Sequence, residues 1–266
     1  MTTMSMSMSS NITDSTTMLR RNLKHQLRYP SVTVILVVMP VVFLLLFVYV
    51  FGGTMGAGLA STGGGTSYVN FVVPGVLLIT IAAASTGTAI SVSTDMTEGI
   101  VARFRTMAIS RSAVINGHVV GSMIQTMLAL TLVLAVAIAV GFRATANAAE
   151  WAAAIGVLAL ITFSLTWFSV ALGTVAKSVE SASNMPMFLL MLPFLGSGFV
   201  PTESMPAVLQ WFAEYQPFTA FIETVRGLLT GTPIGTNGVL TIAWCAVISL
   251  GGYLWARSAY ERKSVR

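Results

Sequence analysis

Thr97-Glu98-Gly99-Ile100-Val101-Ala102-Arg103-Phe104-Arg105-Thr106-Met107-Ala108-Ile109-Ser110-Arg111-Ser112 is a charged island between long apolar runs. Only 9% of the 266 residues are charged, about a third of the roughly 25% usual in soluble domains. Most of the chain must therefore face hydrocarbon or pack against helices that do. An island of this kind is usually a solvated loop. Here Ile100, Phe104 and Met107 fall at i, i+4 and i+7, one apolar stripe on a short helix. Arg103 and Arg105 flank the stripe, and Glu98 stands at its start, where the helix dipole favours a carboxylate. Such a stripe suits a groove on a soluble partner or the headgroup layer, and composition leaves both open.

Working outward, apolar runs at 71–92 and 119–141 flank the island. Further runs lie at about 32–51, 151–176, 185–200 and 239–255, so the expected fold is all-α with six membrane spans. The first run is too long for a signal-peptide core and reads as an anchor that stays in the membrane. Pro40 lies in its middle and is expected to bend it. The fifth run reaches only about 24 Å at 1.5 Å per residue, short of a hydrocarbon core of about 30 Å, and holds Pro186 and Pro193. Residues 52–70 carry seven glycines and read as a flexible loop; 142–150 and 177–184 read as short loops. Residues 82–89 are small and weakly polar, suited to close helix packing or to a solute path.

The ends divide further. Residues 1–14, rich in Ser, Thr and Met, read as a disordered tail. Over 15–30, Leu19, Leu23 and Leu27 alternate with Arg20, Lys24 and Arg28, which predicts an amphipathic helix lying in the headgroup plane, ended by Pro30. A plain basic flank is the alternative. Residues 31–256 form the transmembrane domain and 257–266 a basic tail.

Residues 201–231 are neither a span nor a plain loop. Pro201, Pro206 and Pro217 divide them into two short amphipathic pieces, 204–215 with Trp211 and Phe212, and 218–229 with Phe221 and Val225. Glu214, Glu223 and Arg226 keep them from forming one span, and Glu223 and Arg226, three apart, can pair. The expectation is a re-entrant hairpin that acts as an outer lid and completes the short fifth span.

Charge sets the orientation. With six spans, twelve of the 14 Lys and Arg residues fall on one side and only Arg143 and Arg226 on the other, which puts both termini in the cytoplasm. Trp151, Trp211, Tyr215 and Tyr68 suit an outer aromatic belt, Tyr29 and Tyr260 an inner one. The basic residues cluster beside apolar runs rather than as a nucleic-acid patch. No strong charge falls inside a run, so no ion site or proton relay is expected. The sequence has no Gly-x-x-x-x-Gly-Lys-Ser/Thr, no Gly-x-Ser-x-Gly and no His-x-x-x-His. Cys245 is the one cysteine, and His25 and His118 read as interfacial side chains rather than metal ligands. Neither catalysis nor a cofactor is expected in the chain itself; a transporter without charge inside its spans would draw its energy from elsewhere, and the island is the largest cytoplasmic surface open to a partner.

The block from Glu98 to Val114, followed by Gly117-His118-Val119, resembles the segment between second and third spans of ABC type-2 permeases, in the daunorubicin-resistance subgroup. The stretch from Gly198 to Pro206 that holds Pro201 and Met205, then Phe212 to Thr219 and Arg226 to Gly231, is similar to that subgroup's outer hairpin. The resemblance runs from about 19 to 262. Ala108 departs from it, since proline is expected there. It implies the permease half of an exporter with a cytoplasmic ATPase subunit that binds ATP and Mg, and a second permease chain, a homodimer rather than a heterodimer. It makes Glu98, Ile100, Arg103, Phe104, Arg105 and Met107 a coupling helix. Leu19, Arg20, Lys24 and Arg28 become an interfacial helix that also touches the ATPase. Pro201, Met205, Pro206, Trp211, Phe212, Pro217, Glu223 and Arg226 become the outer lid. The implied cargo is hydrophobic or amphipathic, a drug or a lipid, and the implied place is the plasma membrane of a bacterium. An ion-coupled efflux transporter predicts internal repeats and buried ionisable residues, and a non-transporting scaffold needs no lid.

Overall fold

The computed structural model describes residues 30–61, 67–97 and 111–263. The tail 1–14, the helix expected at 15–29 with Leu19, Arg20, Lys24 and Arg28, and the island stripe from Glu98 to Met107 lie outside the described residues. Every regular element among the described residues is helical. Hydrocarbon offers backbone groups no partner, so an apolar chain satisfies them within helices.

α1 (Pro30–Leu45) runs on through a π-helical turn, Leu46–Val50, closed by the Phe51 N–H on the Leu46 carbonyl at 3.3 Å. Pro40 lies inside it. The glycine-rich stretch read as a loop contains a helix instead, α2 (Gly52–Ser61). Glycine weakens a helix by up to about 1 kcal/mol per residue, yet α2 lies against the start of the next helix: a Cβ on Gly56 would meet Tyr68 Cβ at 3.7 Å. In that setting, leaving backbone groups unpaired is the costlier choice. α3 (Tyr68–Thr97), α4 (Arg111–Val140) and α5 (Ala148–Val175) follow, each longer than its apolar run. Asn147 caps α5, accepting from the Ala149 and Glu150 N–H groups while the Glu150 carboxylate accepts from the Asn147 N–H.

Residues 177–184, read as a loop, form a short helix, α6 (Val179–Asn184), because Ser178 caps it by accepting from the Ser181 N–H at 3.1 Å. The fifth run is not one helix. α7 (Met187–Met191) is brief, and the following residues to 199 proceed in turns, as Pro193 and the Gly196-Ser197-Gly198 run demand. After a 3-10 turn, Thr202–Ser204, come α8 (Ala207–Tyr215), α9 (Pro217–Thr230) and α10 (Asn237–Lys263). The last carries its helix through most of the basic segment 257–266. Among the described residues, four helical stretches are long and apolar enough to cross a membrane, Tyr68–Thr97, Asn116–Val140, Ala148–Val175 and Asn237–Ala259, and Val34–Val50 is a shorter apolar one.

α3 is the axis of the molecule, touching α1, α4, α5, α6, α7 and α9. Its Val72, Leu77, Leu78, Ile81 and Ala82 are buried. Ala84, Ser85, Thr88 and Ala89 are buried too, and a Cβ on Gly173 of α5 would stand 2.5 Å from the Ala89 carbonyl oxygen. The small stretch therefore packs one backbone against another. α10 lies along α5, with Trp167 edge-on to Tyr253 at 5.1 Å. Val92, Val119, Trp167, Val170, Ala171 and Ala256 share one cluster. The end of α3, the start of α4 and the ends of α5 and α10 thus meet at one end of the bundle. Outward faces of α1 and α10, with Ile35, Val38, Val239, Ile242 and Leu250, are exposed and apolar, as lipid-facing helices require.

Candidate functional site

Two polar constructions interrupt the apolar interior, one at each end of α3. The first is the helical pair α8–α9. Pro201 precedes the 3-10 turn, Met205 ends it, and Pro206 stands before α8 with φ −56°. Pro217 opens α9, where its missing N–H costs nothing. Gly231 closes it at φ +72°, the left-handed conformation glycine adopts freely. On α8, Val208, Trp211, Phe212 and Tyr215 are exposed, Trp211 and Tyr215 with ring centroids 5.5 Å apart. The apolar face of α9, Phe218, Phe221, Ile222, Val225 and Leu229, is sunk in the core.

Another stripe of α9 is polar. Gln216, Thr219, Glu223 and Arg226 recur at i, i+3, i+7 and i+10, and Arg226 is only 5% exposed. The Arg226 Nη1 donates to the Glu223 carboxylate, and its Nη2 donates to the Ser197 carbonyl at 2.6 Å and the Phe71 carbonyl at 3.1 Å. Its guanidinium carbon also lies 3.9 Å from the centre of the Phe71 ring. The Gln216 Nε2 donates to the Leu192 carbonyl at 2.9 Å. For Leu192 and Ser197 the reason lies in the broken fifth run: turns in place of a helix leave carbonyls without intrahelical donors, and inside an apolar bundle side chains supply them. Close approach is built in. A Cβ on Gly75 would lie 2.7 Å from the Gly198 carbonyl oxygen, and one on Gly196 would lie 2.5 Å from Gln216 Nε2. Phe47, Phe194 and Phe199 stack beside this join, Phe47 on Phe199 at 4.3 Å and Phe194 on Phe199 at 4.7 Å.

The second construction is where α3 ends and α4 begins. Asp95 Oδ2 lies 3.0 Å from His118 Nε2, with side chains 13% and 11% exposed. The Ser91 hydroxyl lies 3.5 Å from His118 Nδ1, and the Thr88 and Ser122 hydroxyls share a buried hydrogen bond. His118, expected to be an interfacial side chain, is thus held between helices, and a histidine–carboxylate contact joins helices whose apolar runs carry no charge.

The structure therefore brings together the expected pair Glu223–Arg226 and orders Pro201, Met205, Pro206, Trp211, Phe212 and Pro217 as one helical unit. Sequence reasoning missed Gln216, Asp95 and the carbonyl partners of Arg226. The heptad-like spacing of 216, 219, 223 and 226 was the signal for the first. Among the described residues, no three His, Cys, Asp or Glu residues are placed to hold a metal ion.

These features define an all-helical, multi-pass membrane protein whose interior polarity is spent on joining segments. The chain belongs to the ABC-2 type transporter family, whose model matches residues 13–230. It is 31% identical over 205 residues to the daunorubicin resistance ABC transporter permease protein DrrB1 of Streptomyces coeruleorubidus, covering 77% of this chain and 70% of that one. It is 22% identical over 233 residues to the protein named Probable doxorubicin resistance ABC transporter permease protein DrrC in Mycobacterium tuberculosis, covering 86% of this chain and 81% of that one. The resemblance read from the island and the hairpin is thus to the right family and subgroup.

Proposed function

We propose that this chain is the membrane subunit of an ATP-driven exporter that moves hydrophobic or amphipathic compounds, drug-like or lipid-like, out of the cell. Family membership over 13–230 carries the proposal, and the lack of a nucleotide-binding motif in the sequence leaves the motor to a separate ATPase subunit, which would bind ATP and Mg. The permease has six spans, with the first at Val34–Val50 and the fifth completed by the turns after Met191 and the α8–α9 lid. Both termini are cytoplasmic; the shared end of α3, α4, α5 and α10 and the twelve-to-two charge balance support this. Two identical permease chains pair. Glu98, Ile100, Arg103, Phe104, Arg105 and Met107 form the coupling helix, and Leu19, Arg20, Lys24 and Arg28 the interfacial one.

ATP closure of the motors would move the coupling helices and rearrange the permease interface, a rigid-body change biased by a partner. Substituting the nucleotide-binding lysine of the ATPase subunit is expected to abolish export of daunorubicin from cells carrying both subunits. Export at the unsubstituted rate would overturn the reading in favour of an ion-coupled mechanism. Phe104→Ala and Glu98→Lys are each expected to leave the permease in the membrane at normal yield while ATPase capture falls about tenfold in co-purification, the loss of one buried anchor of a groove-bound helix.

A further inference from the structure

The Ser91–His118–Asp95 cluster has the residue types of a hydrolase site but not its geometry. Ser91 and Asp95 stand four apart on one helix, whose interior N–H groups are committed to carbonyls one turn back, so no pair of free donors is available for an oxyanion. What the cluster does have is register. Thr88 with Ser122, Ser91 with His118 and Asp95 with His118 step along α3 in one direction and α4 in the other. They form a polar ladder between two antiparallel helices otherwise packed through apolar and small side chains. Its last rung lies two residues before α3 ends at Thr97 and seven after α4 begins at Arg111. The segment 98–110 hangs from these two ends.

A neutral His118 donating Nε2–H to Asp95 and accepting the Ser91 hydroxyl proton at Nδ1 satisfies the geometry, and so does a protonated one with the Ser91 bond reversed. In surroundings of low dielectric such bonds are directional and resist sliding in a way that apolar contacts do not. We propose that Asp95 and His118 are positioning residues that splint the end of α3 to the start of α4, so that a push on 98–110 displaces both helices as one lever. The proposal rests on the reading of 98–110 as the coupling segment.

The test is a spin-label distance measured in the permease–ATPase complex in nanodiscs, with labels on Thr97→Cys and Asn116→Cys, both exposed positions; the native Cys245 is buried. The expected result is one narrow distance, unchanged between nucleotide-free and ATP-vanadate states, while a second label pair from Thr97 to Ser178→Cys reports an ATP-driven displacement. Asp95→Asn and His118→Leu should each at least double the width of the Thr97–Asn116 distribution and split the displacement between the helices. The exchange Asp95→His with His118→Asp should restore the narrow distance, a rescue that a loss of bulk packing would not give. His118→Gln, which keeps an N–H towards Asp95, serves if the leucine variant is poorly produced. A distribution equally narrow in all variants overturns the proposal, as does a broadened one with an undivided ATP-driven displacement. If instead Phe104→Ala leaves the ATP-driven displacement of the native pair intact, it is the coupling reading of 98–110 that fails.

Discussion

Arg226 shows how much one side chain can hold when the backbone around it is irregular. Its planar fork reaches two carbonyls and a carboxylate from within the core, which a lysine ammonium, a compact point charge, cannot reproduce. Arg226→Met leaves Glu223 without its cation and the Ser197 carbonyl, in the turns, without its side-chain donor. The expected loss is about 2–4 kcal/mol, from the cost of orphaned buried groups and a broken buried pair. It should be read as a lowered midpoint of thermal unfolding in detergent, with Arg226→Lys recovering less than half. The Glu223–Arg226 pair was legible beforehand because it is local, three residues on one helix. The carbonyl of Ser197, 29 residues away, was not, since no pattern within a segment records which distant segment will be left short of donors. The same holds for Asp95 and His118, 23 apart on two helices.

At the level of helices, run length found α3, α4, α5 and α10, because an apolar stretch of about 17 residues or more has few other options. Glycine content misled for 52–61, where propensity argued for a loop and apolar surroundings for a helix. The fifth run was seen to be short but not to be broken; Pro193 and the three residues 196–198 determine that jointly. Glycine also differs in meaning along one element. Gly156→Ala on α5 adds a methyl to open space and is expected to be neutral or to stabilise by about 0.5–1 kcal/mol. Gly173→Ala on the same helix drives a methyl into the Ala89 carbonyl and is expected to destabilise by about 1–3 kcal/mol through overpacking. Paired thermal melts should therefore shift in opposite directions, or only the second should shift, with Gly156→Ala as the internal control for helix propensity.

For the whole molecule, the order of helices and the placement of basic residues make one prediction on sidedness. Ala148, Ser67 and Ser178 are all exposed. A thiol reagent that does not cross membranes should label Ala148→Cys and Ser67→Cys in intact cells, and should reach Ser178→Cys only after the membrane is opened. Labelling of Ser178→Cys in intact cells would refute six spans with cytoplasmic termini.

Glu223 and Arg226 lie on one helix and bond directly, and this has an electrical consequence. A single charge moved across a membrane held at 100 mV gains or loses about 2.3 kcal/mol. A swing of α9 carries one positive and one negative charge together, so the membrane voltage does almost no net work on it. On that helix, whose only charged residues are Glu223 and Arg226, the potential that a growing cell maintains and varies would find almost nothing to act on. ATP hydrolysis by the assembled complex should be unchanged when a potassium diffusion potential is imposed on proteoliposomes, and Arg226→Met, which strips one charge from the pair, should make it depend on the sign of that potential.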